Sequence, residues 1–291
     1  MNRILPVFVL ALVVAIGGCS GSERTATSDE GEQAPIADTG MSGSGVSVLH
    51  PEFSLSAGEL DSMTAGLQSA MRDRIAENPE EFLSMLAAVL DQPESLTWLV
   101  DKTHALAADY APSDLVSLDQ YDQLTLRNTG LKLRRAIMPG LLDMVNAARG
   151  EGVDLELSST YRSYAYQEQV YRRWVNDLGQ EEADRVSARP GHSQHQLGTV
   201  IDFGCICREI ENQPDGRWLL QHAWRYGFSL SYPTGYSDLT GYDYEPWHYR
   251  FIGIAASTLE HRYFDGIQQY MLEFIDANRH LLEQVYRPTD R

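Results

Sequence analysis

Two short segments, which together carry three histidines and two acidic residues, place the strongest constraint on how this chain can fold. His195 and Asp202 lie in Gly191-His-Ser-Gln-His-Gln-Leu-Gly-Thr-Val-Ile-Asp, and Glu245 and His248 lie in Glu-Pro-Trp-His. Two imidazoles and one carboxylate form a ligand set that Zn²⁺ accepts, with a fourth position left for water. A fold in which His195, Asp202 and His248 meet would therefore hold a catalytic zinc.

Both segments need a local turn if their side chains are to meet. His195 and Asp202 are 202 − 195 = 7 positions apart, which on a straight strand would point them to opposite faces, so we expect a turn or bulge at Gly198. Glu245 and His248 cannot share one face of a regular strand either, because their separation is odd. A proline after Glu245 also disfavours a helix there. We therefore predict a turn between Glu245 and His248.

Two roles are open for Glu245. Zinc acidifies its water, and a nearby carboxylate takes the proton and later passes it to the leaving amine. Were Glu245 itself a ligand, four protein groups would close the site and the zinc would be structural. We predict that Glu245 is the general base.

The charge of the chain excludes one class of partner. The formal net charge is −18, with 23 Lys and Arg against 41 Asp and Glu. A nucleic-acid-binding protein usually has a surplus of Lys and Arg to contact phosphates, and this chain has none, so we expect no nucleic-acid partner. A length of 291 residues with 43% hydrophobic content is sufficient for one sizeable core with appendages.

The N-terminus is typical of an export signal. Met1-Asn-Arg3 precedes the apolar run 4–16, which is too short to span a bilayer comfortably. The run ends in Ile16-Gly-Gly-Cys-Ser20, which resembles a bacterial lipobox, in which the cysteine is lipidated after cleavage. We expect lipidation at Cys19 and an exported, membrane-anchored lipoprotein that faces the periplasm or cell envelope. An ordinary secretory signal is the alternative.

With Cys19 lipidated, the remaining cysteines are the close pair Cys205 and Cys207. In an oxidising compartment this pair would form a disulfide, which needs a bend because residues two apart on a strand lie near the upper distance limit for the bond. Two buried thiols are the alternative. Thiolates also bind zinc, but the His/Asp/His set is complete without them.

Changes in patterning divide the chain into a signal, a tether, a helical extension, a main domain and a C-terminal helical segment. The tether is rich in small and polar residues and has almost no large apolar ones. In the extension, helical spacing of apolar residues over 60–75 predicts one helix, and Asn78-Pro79 begins a second. The predicted bounds are 1–19, 20–50, 51–95, 96–256 and 257–291.

Within the main domain, helices and strands follow each other irregularly, which predicts an α+β fold. Strand patterns occur at 153–157, 199–203, 228–232 and 247–251, with an extended segment at 96–100. Helical patterns occur at 133–145, which Pro139 should kink or split, at 167–178 and 215–223, and at 255–282, with an interruption near Asp265-Gly266. Most of the aromatic residues, among them Trp174 and Trp218, lie in such patterns, so we predict that they and Trp224 have no role in the site.

Three motifs occur in combination. They are Tyr161-Arg-Ser-Tyr164 followed by Gln167, the segment 191–203, and Gly241-Tyr-Asp-Tyr-Glu-Pro-Trp-His-Tyr-Arg250. Through them, residues 98–253 resemble the zinc D-Ala-D-Ala carboxypeptidases of the VanY type. The resemblance implies an antiparallel sheet that bears the zinc site and is flanked by helices, as in Hedgehog signalling domains. It implies the zinc ligands His195, Asp202 and His248, with Glu245 as catalytic base.

The resemblance also implies a reaction, the removal of the terminal D-alanine from peptidoglycan stem peptides. Arg162 would bind the substrate's terminal carboxylate or stabilise the oxyanion. Gln167 and Ser193 would hydrogen-bond the substrate, unless they only cap a helix and form a turn. Departures from the family pattern at Thr160 and Ser231 leave the substrate preference open. Whether the bond is D,D or L,D is also open, because related members of the family cleave each. The alternatives are an endopeptidase of the same fold and a non-catalytic, wall-binding lipoprotein with structural zinc.

Overall fold

The computed structural model describes residues 49–288. The predicted signal with Cys19, and the predicted tether as far as residue 48, lie outside the described residues. The helices are α1 (Ala57–Thr64), α2 (Ser69–Glu77), α3 (Pro79–Leu90), α4 (Met138–Gly150), α5 (Tyr164–Leu178), α6 (Gln180–Val186), α7 (Pro214–His222), α8 (Ser237–Thr240), α9 (Ile254–Tyr263) and α10 (Gln268–Val285). The strands are β1 (Leu115–Ser117), β2 (Thr125–Leu126), β3 (Lys132–Arg134), β4 (Glu156–Ser159), β5 (Val200–Phe203), β6 (Phe228–Leu230) and β7 (His248–Phe251). None of the helices in this range combines the length and apolar character needed to cross a membrane.

A five-stranded sheet in the order β2-β4-β5-β7-β6 lies at the centre of the fold. Strands β4, β5, β7 and β6 pair antiparallel, as predicted, whereas the short edge strand β2 runs parallel to β4. Strands β1 and β3 form a separate antiparallel pair. The sequence of β5 is Val-Ile-Asp-Phe, and all four residues are buried, as expected of a strand covered on both faces. The fold is α+β with an antiparallel sheet flanked by helices, which confirms the predicted class.

The buried apolar side chains form two clusters. One cluster contains side chains of the sheet and of α4 and α7. The other joins the N-terminal helices α1–α3 to the C-terminal helices α9 and α10. In this second cluster, Phe82 of α3 contacts the rings of Tyr263, Phe264 and Phe274. The two ends of the described chain therefore stabilise each other through a shared core.

The N-terminal helices differ in one respect from the prediction. The single helix predicted over 60–75 is two helices, because α1 ends at Thr64 and a turn at 65–68 separates it from α2. Gly66 lies in this turn, and a glycine lowers helix propensity by about 1 kcal/mol relative to alanine. α3 begins at Pro79, as predicted. The interruption predicted near Asp265-Gly266 is present between α9 and α10, where both residues have positive φ.

Two further segments differ from their predicted form. The segment 96–100 is not a strand, because Leu96 ends a 3-10 helix, Glu94–Leu96. The carbonyls of Leu96 and Trp98 accept hydrogen bonds from the buried Arg250 guanidinium over 3.0 and 2.8 Å. Pro139 lies in the first turn of α4, so this helix begins later than the predicted segment 133–145. Of the two predicted outcomes at Pro139, a kink or a split, the structure has the split.

Candidate active site

His195 and Asp202 come together through the predicted turn. His195 lies in a short 3-10 helix, Gln194–Leu197, and the next residue, Gly198, ends this helix in the left-handed conformation at φ +71°. A side chain at Gly198 would also press against three neighbouring side chains, so the site favours glycine. Strand β5 then begins at Val200 and carries Asp202. The turn at Gly198 thereby directs both side chains to one point.

A second turn brings Glu245 beside His248. The His248 N–H donates to the Glu245 carbonyl over 3.1 Å and closes a turn just before β7. In the antiparallel pair of β5 and β7, His248 lies directly opposite Asp202. Residues paired in this way have their side chains on the same face of the sheet at short range. The turn and the sheet register therefore place His248 against Asp202.

The four predicted zinc-site side chains form one cluster. The Asp202 carboxylate lies 3.3 Å from His195 Nε2 through one oxygen and 3.3 Å from His248 Nδ1 through the other. Glu245 Oε2 lies 3.2 Å from the same His248 nitrogen. One donor atom from each of His195, Asp202 and His248 lies within 4.8 Å of the others. Among residues 49–288, no other group of His, Cys, Asp and Glu converges in this way.

The donor atoms of the cluster suit a metal ion. Asp202 Oδ1 is buried and has no hydrogen-bond partner among the described residues. His195 Nδ1 lies 2.6 Å from the Thr160 carbonyl, which only accepts, so the lone pair of His195 is on Nε2. His248 Nε2 lies 3.4 Å from Gln194 Oε1, which leaves the lone pair of His248 on Nδ1. Two lone pairs and a carboxylate oxygen thus face one another, as in zinc sites with an open fourth position.

The charges in the cluster shift one another's pKa. Burial opposes ionisation of Asp202, but His195, His248 and Arg162 hold its pKa well below the usual range. Burial lowers the pKa of His195 to about 4. For His248, burial is outweighed in the metal-free protein by the Asp202 and Glu245 carboxylates beside Nδ1, which favour a proton there and raise its pKa to about 9. Burial raises the pKa of Glu245. Glu245 therefore holds a proton more readily than an exposed glutamate does, as a general acid–base group requires.

Arg162 contacts the cluster directly. Its Nη2 donates to Asp202 Oδ2 over 2.8 Å, and its Nε and Nη2 donate to Ser159 Oγ over 3.1 and 2.9 Å. The side chain is 20% exposed and lines the cavity that adjoins the cluster. Arg162 therefore orients Asp202 and also presents a positive charge to that cavity.

Gln167 and Ser193 line the same cavity. Gln167 Nε2 donates to the Ala188 carbonyl over 2.8 Å, whereas Gln167 Oε1 is buried without a hydrogen-bond partner in the described part of the chain. Ser193 is buried and directly precedes the 3-10 helix that carries His195. Both residues lie where a substrate would contact them, and their binding role stays a prediction.

The cavity has a volume of about 550 Å³ and extends well beyond the metal cluster. Trp174 lines it and is 40% exposed, which counts against the prediction that it has no role in the site, whereas Trp218 is buried in the core. The spacing of Gln167, Val170 and Trp174 puts all three on one face of α5. This spacing placed Trp174 on the same side of the helix as Gln167, a predicted substrate-binding residue. Further aromatic residues of the wall were not predicted from the sequence: Tyr166, Tyr232, Tyr242, Tyr244 and Trp247.

Cys205 and Cys207 form a disulfide, with their Cα atoms 5.2 Å apart, so the first of the two predicted states is present. The bend that this bond needs follows directly after β5. Ile206, between the two cysteines, is 53% exposed and lines the cavity. His192 lies outside the metal cluster, as predicted, and its Nδ1 lies 2.8 Å from the Asp101 carbonyl.

Comparison with known proteins agrees with this geometry. The family model described as VanY, D-alanyl-D-alanine carboxypeptidase, matches residues 130–254. YodJ of Bacillus subtilis (strain 168), a putative carboxypeptidase, is 34% identical over 194 residues, which are 62% of this chain and 71% of YodJ. The structure of the LD-carboxypeptidase LdcB is 32% identical, with a TM-score of 0.57 over 63% of this chain and 88% of LdcB. A mutant of the D,D-pentapeptidase VanY from a VanB-type vancomycin resistance cassette, solved with Zn(II), is 28% identical to this chain. Its TM-score is 0.52, and the match covers 61% of this chain and 98% of the VanY chain. The chain belongs to the VanY family of D-alanyl-D-alanine carboxypeptidases.

Proposed function

We propose that the protein is a zinc-dependent carboxypeptidase that removes the terminal D-alanine from peptidoglycan stem peptides. The observation that carries this proposal is the convergence of His195, Asp202 and His248, with Glu245 beside them, at a cavity of about 550 Å³. A cavity of this size is typical of small-molecule sites and accommodates the end of a peptide. Membership of the VanY family supports the reaction, and the VanY structure with Zn(II) supports the metal.

In this proposal, zinc is held by His195 Nε2, His248 Nδ1 and a carboxylate oxygen of Asp202. When bound, zinc polarises the scissile carbonyl and acidifies a water molecule toward neutral pH. The three side chains leave one coordination position open, which favours a catalytic over a structural site. Thr160 and Arg162 keep the ligands in place, because they hydrogen-bond His195 and Asp202 over 2.6 and 2.8 Å.

Glu245 is the general base of the proposed reaction. Its carboxylate takes a proton from the attacking water as the new C–O bond forms at the scissile carbonyl carbon. The same group returns the proton to the leaving nitrogen when the C–N bond breaks and D-alanine departs. Burial raises the pKa of Glu245, which favours its holding the proton between the two transfers. Its position 3.2 Å from His248 Nδ1 places it next to the proposed metal.

Arg162 is the proposed group for the charged part of the substrate. Its Nε and Nη2 are used by Ser159 and Asp202, and Nη1 carries two more donors. Such donors suit the terminal carboxylate of the peptide or the developing oxyanion. A peptide ending in an amide separates these roles. Arg162→Gln should lose the preference for a free carboxylate if Arg162 binds that group, and should slow both peptides equally if it stabilises the oxyanion.

We also propose that the protein is exported and anchored by a lipid on Cys19. The apolar run at 4–16 and the lipobox-like sequence around Cys19 support this location. The disulfide between Cys205 and Cys207 supports an oxidising compartment. Cys19→Ser should move the protein from the membrane fraction to the soluble fraction, and an unchanged distribution would contradict the lipid anchor.

Mass spectrometry of defined substrates tests the proposed reaction. Pentapeptide stems, tetrapeptide stems and cross-linked dimers are each incubated with the zinc-loaded protein, with its Glu245→Gln variant and with a chelator. Loss of one terminal alanine from either stem, abolished by the variant and by the chelator, is the expected result and identifies the bond as D,D or L,D. Cleavage of only the dimers would indicate an endopeptidase, and no cleavage would indicate a wall-binding protein.

A further inference from the structure

Buried amides connect the proposed zinc ligand His248 to helix α10. Gln194, Ser231 and Gln268 form this connection, and each is at most 2% exposed. Gln268 is the first residue of α10, whereas the match to the family model ends at residue 254. The contact therefore comes from a part of the chain that lies beyond the matched catalytic segment.

The direction of each hydrogen bond in this connection can be assigned by starting at Gln268, the residue farthest from His248. Gln268 Nε2 donates to the Ser229 carbonyl of β6 over 3.4 Å. A carbonyl only accepts, so Gln268 must direct its NH₂ group to Ser229 and its oxygen the other way. Gln268 Oε1 then accepts from Gln194 Nε2 over 3.3 Å. Gln194 consequently has its oxygen, and not its NH₂ group, available for His248.

This order selects one protonation form of His248. Gln194 Oε1 accepts from the Ser231 hydroxyl over 2.7 Å and lies 3.4 Å from His248 Nε2. An acceptor at this place stabilises a proton on Nε2 and leaves the lone pair on Nδ1, the nitrogen 3.3 Å from Asp202. A reversed Gln194 amide would place a donor against Nε2 and favour the form that cannot bind metal through Nδ1.

We infer that Gln194 and Gln268 are positioning residues that hold His248 in the form with Nδ1 free for zinc, and that α10 thereby supports the metal site. This inference rests on the proposed zinc site. Groups that hydrogen-bond a ligating histidine typically change metal affinity by about 10- to 100-fold when they are removed. Because Gln268 acts through Gln194, the expected effect of its loss is at the lower end, about tenfold.

The test is the zinc affinity of the metal-free, full-length protein, measured by competition with a chromophoric chelator. Gln268→Met keeps the length of the side chain and removes its donors and its acceptor. Gln269→Met is the matched control, because Gln269 is a buried neighbour on α10 whose amide bonds Asp101 and Glu273 instead. Zinc should bind about tenfold more weakly to Gln268→Met and within about twofold of wild type to Gln269→Met, even if both variants unfold at a lower temperature.

Nitrogen NMR of the zinc-loaded protein separates positioning from a general loss of stability. The His248 Nε2–H should exchange slowly in the wild type and faster in Gln268→Met. Ser231→Ala removes the hydroxyl that lies 2.7 Å from Gln194 Oε1 and 3.3 Å from Gln268 Oε1. It keeps the hydrogen bond from Gln194 Nε2 to Gln268 Oε1, so its zinc affinity should stay within about twofold of wild type.

Four outcomes distinguish the inference from the proposed function. Unchanged zinc affinity and exchange in Gln268→Met, or a tenfold loss in Ser231→Ala, would overturn the inference while the zinc site stands. Equal losses in Gln268→Met and Gln269→Met would overturn it as well. Failure of the wild type to bind zinc would refute the proposed site itself.

Discussion

Replacing Glu245 with glutamine should stop turnover and leave zinc binding intact. Glutamine keeps the shape of the side chain but cannot take a proton from water. A positioned acid–base group contributes about 10²- to 10⁴-fold to the rate. Because each factor of ten corresponds to about 1.4 kcal/mol, the expected loss of transition-state stabilisation is about 3–5 kcal/mol. We expect the upper half of this range, since Glu245 handles the proton in both halves of the proposed reaction.

Zinc affinity distinguishes a general base at Glu245 from the main alternative, in which Glu245 is a fourth zinc ligand. The converging donors come from His195, Asp202 and His248, so Glu245→Gln should change zinc affinity by less than about threefold. The assays are the kinetics of D-alanine release and chelator competition for zinc. Glu260→Gln is the matched control, since Glu260 is also buried but does not line the cavity. Loss of zinc from Glu245→Gln would show that Glu245 is a fourth ligand. Full turnover by this variant would refute the role of Glu245 as general base.

Three other predictions concern stability and substrate binding. Burial raises the pKa of Glu260 to about 8, so the folded protein favours the protonated side chain. The resulting stabilisation is full below the unfolded pKa near 4.3 and is lost as pH rises through about 8. Urea unfolding should show that Glu260→Gln removes this pH dependence of the free energy of unfolding, which amounts to about 5 kcal/mol at most. Trp174→Ala should raise KM for stem peptides about 2- to 10-fold with little change in kcat, whereas Trp224→Ala, outside the cavity lining, should not. When zinc is present at about 100 to 1,000 times its Kd, removing it with a chelator should lower the free energy of unfolding by about 3–4 kcal/mol. Thermal unfolding with and without the chelator measures this change.

The metal cluster was predictable because its chemistry and its backbone impose separate demands on the sequence. A zinc site needs nitrogen and oxygen donors, and His195, Asp202 and His248 supply them. Their spacing is incompatible with straight strands, which required turns at Gly198 and before His248, and both turns are present. The α+β class followed in the same way, from apolar patterns whose period differs between strands and helices.

Other features depend on information that a local pattern does not contain. A tryptophan at helical spacing, such as Trp174, can face the core or a cavity, and only the tertiary structure decides between them. Gln268 lies in the final helix, and no spacing relates its amide to His248. Long-range packing therefore determined what the sequence pattern left open.

A zinc titration of the metal-free protein, with D-alanine release from stem peptides as the readout, tests the central claim most directly. Activity should rise in proportion to added zinc, reach its plateau at one zinc per chain and be absent in Asp202→Ala. Full activity without zinc would contradict the claim. So would one tightly bound zinc per chain without any release of D-alanine, because the metal would then be structural.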